Sequence, residues 1–239
     1  MEKRMSISGT QMGIAGKMKI IYDTYDKKRI NELPKILFDG RIIVIFSEAE
    51  AEKAVDYLLR QEILGFDTET RPSFKKGRTH QVSLLQVATH DTCFLFRLNM
   101  IGIPDSLLKL LEDRHITKVG LSLHDDLRML SHRKKFTPGT FIELQKEVKD
   151  IGIKDLSLQK IYANLLGHKI SKNQQLSNWE AETLSEAQKK YAATDAWACV
   201  RIHEEIVKMK QDGGYTLKVA SAEVNAPKSQ TDKTIFKDK

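Results

Sequence analysis

KKYAATDAWA, residues 189–198, is the stretch around which the rest of the chain is organised. It lies within a predicted helix that runs from about Ser185 to Lys210. Tyr191 and Asp195 are four residues apart, so a helix places the phenol and the carboxylate one turn apart on the same face. The alanines between them would let a strand or a substrate approach closely. A surface tyrosine beside a solvated aspartate would show the same spacing, so this stretch alone does not define a site.

A second acidic pair lies far upstream, at Asp67 and Glu69, where a short apolar strand ends. Side chains at positions i and i+2 of a strand point to the same face, so the two carboxylates are forced together and repel each other. A divalent cation such as Mg²⁺ resolves that conflict, because it is a hard ion that prefers oxygen ligands. A polar strand end in which Asp67 caps a turn is the structural alternative.

A third acidic position, Asp125-Asp126, follows another strand and opens a predicted helix. Acidic residues at a helix start satisfy free backbone N–H groups and the helix dipole, so one of the two could cap the helix while the other faces the site. The spacing does not say which one faces a site. Carboxylates from three parts of the chain, with a tyrosine beside them, fit phosphodiester hydrolysis with two metal ions about 4 Å apart.

Composition restricts the class of protein. The chain has 239 residues, of which 41% are hydrophobic and 30% charged, as in ordinary globular domains. No apolar run approaches the ~18 residues that span a bilayer, so we expect no membrane association. Two cysteines, Cys93 and Cys199, are too few for a disulfide framework or a zinc site, and we expect a cytoplasmic protein. The net charge of +7 is compatible with a polyanionic partner.

The order of predicted elements indicates an α/β domain with a mixed sheet. Ser47 and Glu50 form a capping-box pattern that opens a helix. Three strands, the one that ends at Asp67 and those at 81–88 and 93–98, are expected to form an antiparallel meander. A further strand is predicted through Val119, Leu121 and Leu123. Further helices are predicted at 104–111, 141–148 and 156–166. We expect one domain over residues 19–210, with residues 1–18 disordered or introduced by cloning, and residues 211–239 a disordered polar tail.

Three segments resemble the exonuclease motifs of the DEDD superfamily: Phe66 to Thr70, Lys118 to Asp126, and Tyr191 to Ala196. The third segment, with its tyrosine four residues before the last aspartate, resembles the corresponding motif of the DEDDy branch. This branch includes ribonuclease D and the Werner syndrome exonuclease. The branch that uses histidine would have it at position 190, which is Lys190. The segments 152–158 and 176–179 also resemble the stretch before the third motif, and the likeness covers about Ile42 to Ile206.

The resemblance implies a ribonuclease H-like fold, with a mixed five-stranded sheet flanked by helices. It implies a metal-dependent 3′–5′ exonuclease that releases nucleoside 5′-monophosphates from DNA or RNA with two divalent cations, Mg²⁺ or Mn²⁺. Asp67, Glu69 and Asp195 would bind the first ion, and Asp67 would bridge to the second. Asp126 matches the second motif, with Asp125 as the other candidate, and Tyr191 would orient the attacking water. The substrate would be single-stranded or 3′-recessed, and no obligate protein partner is implied.

A basic loop follows Glu69 and is the predicted nucleic-acid contact. It could hold phosphates with its cations and stack a base on its aromatic ring, although a solvated charged loop would look the same. The predicted contacts are Thr68, Thr70, Arg71, Phe74, Lys75, Lys76 and Arg78.

Two other functions remain open from the sequence. One is a catalytically inactive nucleic-acid-binding module on the same fold, and the other is an endonuclease of the ribonuclease H group, which the Tyr-x-x-x-Asp helix disfavours. The sequence does not distinguish DNA from RNA, because that choice depends on contacts to the 2′-hydroxyl.

Overall fold

The computed structural model of the protein describes residues 18–75, 77, 79–212 and 214–219. The predictions for residues 1–17 and for residues 220–239 fall outside the described residues. So do those for Lys76 and Arg78.

The described residues form strands and helices in the following order: β1 (Lys19–Tyr22), α1 (Lys27–Glu32), β2 (Arg41–Ile45), α2 (Glu48–Leu58), β3 (Ile63–Thr70), β4 (Val82–Ala88), β5 (Thr92–Phe96), α3 (Leu98–Ile101), α4 (Asp105–Glu112), β6 (Thr117–Gly120), α5 (Leu123–Arg133), β7 (Phe141–Glu143), α6 (Leu144–Asp150), α7 (Leu158–Leu166), α8 (Glu186–Gln211) and β8 (Tyr215–Lys218).

The main sheet is mixed, with the strand order β2-β5-β4-β3-β6-β7. The run β3-β4-β5 is antiparallel, which confirms the predicted meander, and the remaining neighbours pair in parallel. The sheet has six strands where five were expected, because β7 adds a short edge strand beside β6. The mixed α/β architecture predicted from the sequence is confirmed.

Two element boundaries differ from the prediction. Residues 141–148 were expected to be one helix, but Phe141 and Ile142 pair with β6 before α6 begins. A three-residue strand is too short to show a strand periodicity in the sequence. The predicted strand through Leu123 ends instead at Gly120, where a β-carbon would lie only 2.5 Å from the side chain of Leu123. Glycine therefore allows the tight turn into α5.

Helix α8 lies across one face of the sheet and forms an apolar cluster with β4 and β5, to which Trp179 and Tyr191 also belong. Residues of α2, α4 and α5 cover the opposite face, where Phe66 of β3 is buried. The capping boxes at Ser47 and Ser185 are both formed, so α2 begins where the sequence predicted.

Strands β1 and β8 form a separate two-stranded parallel sheet. Ile21 of β1 is fully buried in a cluster with residues of α6, α7 and α8. Strand β8 lies within the segment that was predicted to be a disordered tail, so the ordered structure extends at least to Lys218. In β8, only two apolar residues, Tyr215 and Leu217, alternate with polar ones. An alternation this short does not distinguish a strand from the polar segment around it.

Across the part of the chain that the structure describes, helices that combine the length and the apolarity needed to cross a bilayer are absent.

Candidate active site

The close approach of β3 to α8 builds the cleft. A β-carbon on Gly65 would lie 1.9 Å from the carbonyl oxygen of Ala196, so only glycine lets the strand and the helix approach this closely. Side chains alternate along a strand, and Asp67 and Glu69 therefore share the helix-facing side with Gly65. Asp195 of α8, which is only 7% exposed, lies across from them.

Three predicted metal ligands come together here. Asp67, Glu69 and Asp195 each offer a carboxylate oxygen, and these oxygens all lie within 4.8 Å of one another. They line a cleft of about 280 Å³, together with Tyr191 and Lys172. A hard divalent cation takes oxygen ligands of this kind at short distance, so the donor set fits Mg²⁺ or Mn²⁺.

Asp126 and Asp125 point in different directions. The hydroxyl of Thr68 donates a hydrogen bond to Oδ1 of Asp126 over 2.5 Å, which ties Asp126 to the acidic strand. Asp125 has a side chain that is 71% exposed, and it forms an ion pair with Arg128 over 3.0 Å. The structure thus places Asp126 beside β3, outside the group of three clustered carboxylates, and leaves Asp125 on the surface of α5.

The electrostatics of the cleft oppose ionisation of the carboxylates. Burial, and then the negative charges of Asp126, Glu69 and Asp195, hold the pKa of Asp67 well above its usual range. Burial together with Asp195 and Asp126 raises the pKa of Glu69 to about 9. A bound cation would relieve this repulsion, because it favours the ionised form of every ligand.

The pKa values of the other two carboxylates, Asp195 and Asp126, are raised less. Burial raises the pKa of Asp195 to about 7, although a hydrogen bond from Tyr191 and the charge of Lys172 act in the opposite direction. Burial raises the pKa of Asp126 to about 6, against the hydrogen bond from Thr68 and with a contribution from the charge of Glu143. Perturbed carboxylates that converge on one cleft are typical of functional sites.

Tyr191 lies one helical turn before Asp195, as the sequence predicted, and its hydroxyl bonds to that carboxylate. Its ring packs against Trp179 with the two centroids 6.0 Å apart. Burial, and then the negative charge of Asp195, raise the pKa of Tyr191 far above its usual range. The phenol is therefore neutral, and its hydroxyl is available as a hydrogen-bond donor.

The predicted nucleic-acid contacts fall into two groups. Thr68 lies among the carboxylates, and Thr70 ends β3 at a register shift. Arg71 forms an ion pair with Glu180 over 3.2 Å, and Glu180 also pairs with His80 over 2.9 Å, so both ends of the loop are attached to the segment after Trp179. Phe74 is 85% exposed and Lys75 is exposed as well.

Three residues near the cleft were not predicted from the sequence. Lys172 lines the cleft, and its charge lowers the pKa of Asp195. Gln86 lies directly opposite Asp67 in the β3–β4 ladder, and its buried amide finds no hydrogen-bond partner among the described residues. Glu143 accepts the backbone N–H groups of Ser122 and Leu123. No short sequence pattern identifies these three residues, because each one lies about 20 positions in the sequence from the residue that it contacts or influences.

The fold and the acidic cleft together define a ribonuclease H-like domain with a carboxylate cluster. The sequence model that matches residues 42–211 is that of a 3′–5′ exonuclease domain. The chain belongs to the 3′–5′ exonuclease family, and its motifs place it in the DEDD type. Members of this family are hydrolases.

Curated relatives agree with this assignment. The Werner-type bifunctional 3′–5′ exonuclease and ATP-dependent helicase of Mus musculus is 28% identical over 82% of this chain and 15% of its own length. Exonuclease 3′–5′ domain-containing protein 2 of Drosophila melanogaster is 36% identical over 61% of this chain, which spans 25% of that protein. A 3′–5′ exonuclease of Arabidopsis thaliana is 30% identical over 74% of this chain and 67% of its own length.

Solved structures share the fold. The EXO domain of Nibbler from Aedes aegypti superimposes with a TM-score of 0.66 and 22% identity, over 73% of this chain and 91% of that one. Ribonuclease D from Escherichia coli superimposes with a TM-score of 0.63 and 20% identity, over 71% of this chain and 44% of that one. NrnC from Brucella melitensis has a TM-score of 0.56 and 28% identity, over 72% of this chain and 82% of its own.

Proposed function

We propose that this domain removes nucleoside 5′-monophosphates from the 3′ end of a nucleic acid by hydrolysis that depends on two divalent cations. The observation that carries the proposal is the convergence of Asp67, Glu69 and Asp195 on one cleft beside Tyr191, with Asp126 near enough for its charge to raise the pKa of Asp67. These residues come from three separate elements, so they can surround a pair of ions. An inactive binding module would need no such set of repelling carboxylates.

Each side chain has a distinct task in this proposal. Asp67, Glu69 and Asp195 would hold one ion, while Asp67 and Asp126 would hold the other. When bound, Mg²⁺ or Mn²⁺ would supply charge stabilisation and would make water a better nucleophile. The neutral phenol of Tyr191 would orient the attacking water through its hydroxyl, because it already lies beside Asp195. Thr68 keeps Asp126 in place through its hydrogen bond.

The substrate in this proposal is a single strand or a recessed 3′ end, the substrate class that the resemblance to the DEDDy exonucleases implies. Ribonuclease D of Trypanosoma brucei was solved with RNA U12 at 20% identity and a TM-score of 0.64, over 74% of this chain and 65% of that one. NrnC of Brucella melitensis was also solved bound to pGG. These relatives make short RNA strands the first substrates to test, with DNA beside them.

The test uses oligonucleotides labelled at the 3′ or the 5′ end, in DNA and RNA form, with Mg²⁺, Mn²⁺ or EDTA. We expect immediate release of the 3′ label as a mononucleotide and no release in EDTA. Asp126→Asn should lower the rate by at least about 10²-fold, since a carboxylate that holds an ion is removed. Asp125→Asn is the matched control and should keep the parent rate. Intact oligonucleotides under every metal would contradict the proposal, and internal cuts in a circular strand would indicate an endonuclease.

The basic loop is the proposed contact for the substrate strand outside the cleft. Phe74→Ala should weaken single-strand binding about tenfold, because an exposed ring that stacks on a base contributes on the order of 1–3 kcal/mol. Phe46→Ala is the control, since Phe46 is also exposed (49%) but packs against Arg97 at the end of β2. Equal affinities for the two variants would exclude stacking by Phe74. The cations of this loop, Arg71, Lys75, Lys76 and Arg78, are proposed to contact phosphates.

A further inference from the structure

The turn that leads into α5 is held in an unfavourable backbone conformation. Ser122, which precedes α5, has φ = 63° in the left-handed region, and it is the single described residue other than glycine with a positive φ. A side chain in this region is sterically strained. Ser122 also occupies the position of a capping residue, yet its hydroxyl makes no capping bond to α5. It accepts a hydrogen bond from Nε2 of Gln145 over 2.9 Å instead.

A carboxylate from a neighbouring strand takes over the capping role. Oε1 of Glu143 accepts the backbone N–H of Ser122 over 3.0 Å, and Oε2 accepts that of Leu123 over 2.7 Å. Oε1 also accepts the N–H of Gln145 over 2.9 Å, at the start of α6. One side chain therefore holds three backbone N–H groups at the starts of two helices. The register of the sheet makes this possible, because Glu143 of β7 lies beside Gly120, where β6 ends.

These contacts hold the backbone from which the first turn of α5 starts. Asp126 lies in that turn, three residues after Leu123. Asp126 also accepts a hydrogen bond from the hydroxyl of Thr68, and this bond is made to the side-chain carboxylate of Asp126, not to its backbone. The backbone position of Asp126 is therefore set by the turn that Glu143 holds, together with the packing of Leu123 and Leu130 of α5 in the core.

We propose that Glu143 is a positioning residue that orients Asp126, through the strained turn at Ser122, to hold its metal ion. The inference rests on the proposed function, because it assumes that Asp126 binds an ion. Glu143 itself points its oxygens at backbone N–H groups and is not a ligand. A residue that only stabilised the fold would affect the melting temperature without changing metal affinity.

The first experiment measures Mn²⁺ binding by electron paramagnetic resonance, which reports free Mn²⁺ independently of activity. In Glu143→Gln, an amide N–H₂ group replaces one acceptor and faces a backbone donor. We expect one of the two ions to bind about 10–100-fold more weakly, as is typical when a group that orients a metal ligand is changed. The ion held by Asp67, Glu69 and Asp195 should keep its affinity.

Glu147→Gln is the matched control. Glu147 lies on α6, four residues after Glu143, and bonds to Nδ1 of His203 over 2.8 Å, away from α5. The substitution removes the same charge and one hydrogen bond, and it should leave both Mn²⁺ affinities unchanged. A weakened ion in this control as well would overturn the positioning role. Because the charge of Glu143 also acts on Asp126, Glu143→Asp, which keeps that charge, should weaken the same ion, and parent affinity in Glu143→Asp would leave charge as the explanation.

A second substitution tests the route through the turn. Glycine adopts a positive φ without strain, so Ser122→Gly should restore most of the lost Mn²⁺ affinity when it is combined with Glu143→Gln. No recovery in the double variant would overturn the route through Ser122. If Glu143→Gln does not fold, Glu143→Asp replaces it, since the shorter side chain keeps the charge but cannot reach both N–H groups. Parent affinity for both ions in either folded variant would overturn the inference.

The two proposals can fail separately. If the parent protein binds fewer than two Mn²⁺ ions, the proposed function fails before any variant is compared. If the parent binds two ions and hydrolyses the 3′ end while Glu143→Gln binds them equally well, only the role of Glu143 is lost.

Discussion

Among the single residues of the cleft, the carboxylates carry the largest electrostatic conflict. Asp67, Glu69, Asp126 and Asp195 all have a raised pKa, because burial removes water and the neighbouring charges repel. Such a set opposes folding whenever it is ionised without a cation. Under the proposed function, this arrangement would favour metal binding at the expense of the stability of the metal-free domain, as functional sites commonly do.

This conflict predicts how the stability of the metal-free protein depends on pH. A carboxyl whose pKa is raised in the folded state binds its proton more tightly there than in the unfolded chain. Stability therefore falls as pH rises. The loss should extend from about pH 4, the usual range for carboxyls, through the raised values near 6, 7 and 9.

Thermal melts in EDTA between about pH 5 and pH 9 test this expectation. The melting temperature should fall with pH, and added Mg²⁺ should reverse most of the fall. Asp195→Asn should flatten the profile, whereas Asp125→Asn should leave it unchanged, because Asp125 lies on the surface. A melting temperature that rises steadily over this range would contradict the electrostatic picture.

Tyr191 gives a second prediction for a single residue. Tyr191→Phe removes the hydroxyl beside Asp195 and keeps the ring against Trp179, so kcat should fall about 10²-fold while Mn²⁺ affinity is retained. Tyr162→Phe is the control, since burial also raises the pKa of Tyr162, to about 12, but its ring packs on Trp197. Steady-state cleavage of a labelled oligonucleotide measures both. A rate within twofold of the parent for Tyr191→Phe would exclude a role in orienting water.

At the level of secondary structure, the features that follow from neighbouring residues could be predicted. The capping box at Ser47 and the spacing of Tyr191 and Asp195 both connect residues three or four positions apart, and both are confirmed. The spacing alone could not decide between Asp125 and Asp126, because the choice depends on how the turn before α5 points that helix, and it is the resemblance to the second motif that selects Asp126. Glu143, which holds this turn, is about 20 residues away in the sequence. Helix and strand periodicity relate only residues a few positions apart, so they could not reveal this contact.

The contact between β3 and α8 gives a prediction for these two elements. Gly65→Ala would place a β-carbon against the carbonyl oxygen of Ala196, and neither backbone can yield without moving the strand from the helix. We expect a loss of about 1–3 kcal/mol in the free energy of unfolding. Activity should fall about 10²-fold even where the variant is folded, because Asp67 and Glu69 would move away from Asp195.

Gly102→Ala provides the control for this substitution. Gly102 has φ = 63° in open space before α4, so alanine there is strained, by about 1–3 kcal/mol, without a steric clash. Urea denaturation should show a comparable loss of stability in both variants, and cleavage assays should show full activity only for Gly102→Ala. If both variants lost activity, or if neither did, the close contact between β3 and α8 would not be what controls the geometry of the cleft.

For the whole molecule, the small sheet of β1 and β8 connects the first and last described segments across the back of α8. Ile21→Ala should lower the free energy of unfolding by about 2–5 kcal/mol, because Ile21 is fully buried and leaves a cavity. Activity per folded molecule should not change, since the cleft lies elsewhere. Ile20→Ala is the control, because Ile20 is 45% exposed and should change stability by at most about 0.5 kcal/mol. Equal urea midpoints for the two variants would show that the small sheet contributes nothing to stability.

The parallel pairing of β1 and β8 also determines how the domain responds to mechanical force. Lys19 pairs with Tyr215 and Tyr22 with Lys218, so residues 18 and 219 leave the ladder at opposite ends. Tension applied between those two points would load the interstrand hydrogen bonds together, in shear, rather than break them one after another. The small sheet would thus act as a mechanical clamp, and a pulling force would have to break it before it could reach the acidic cleft.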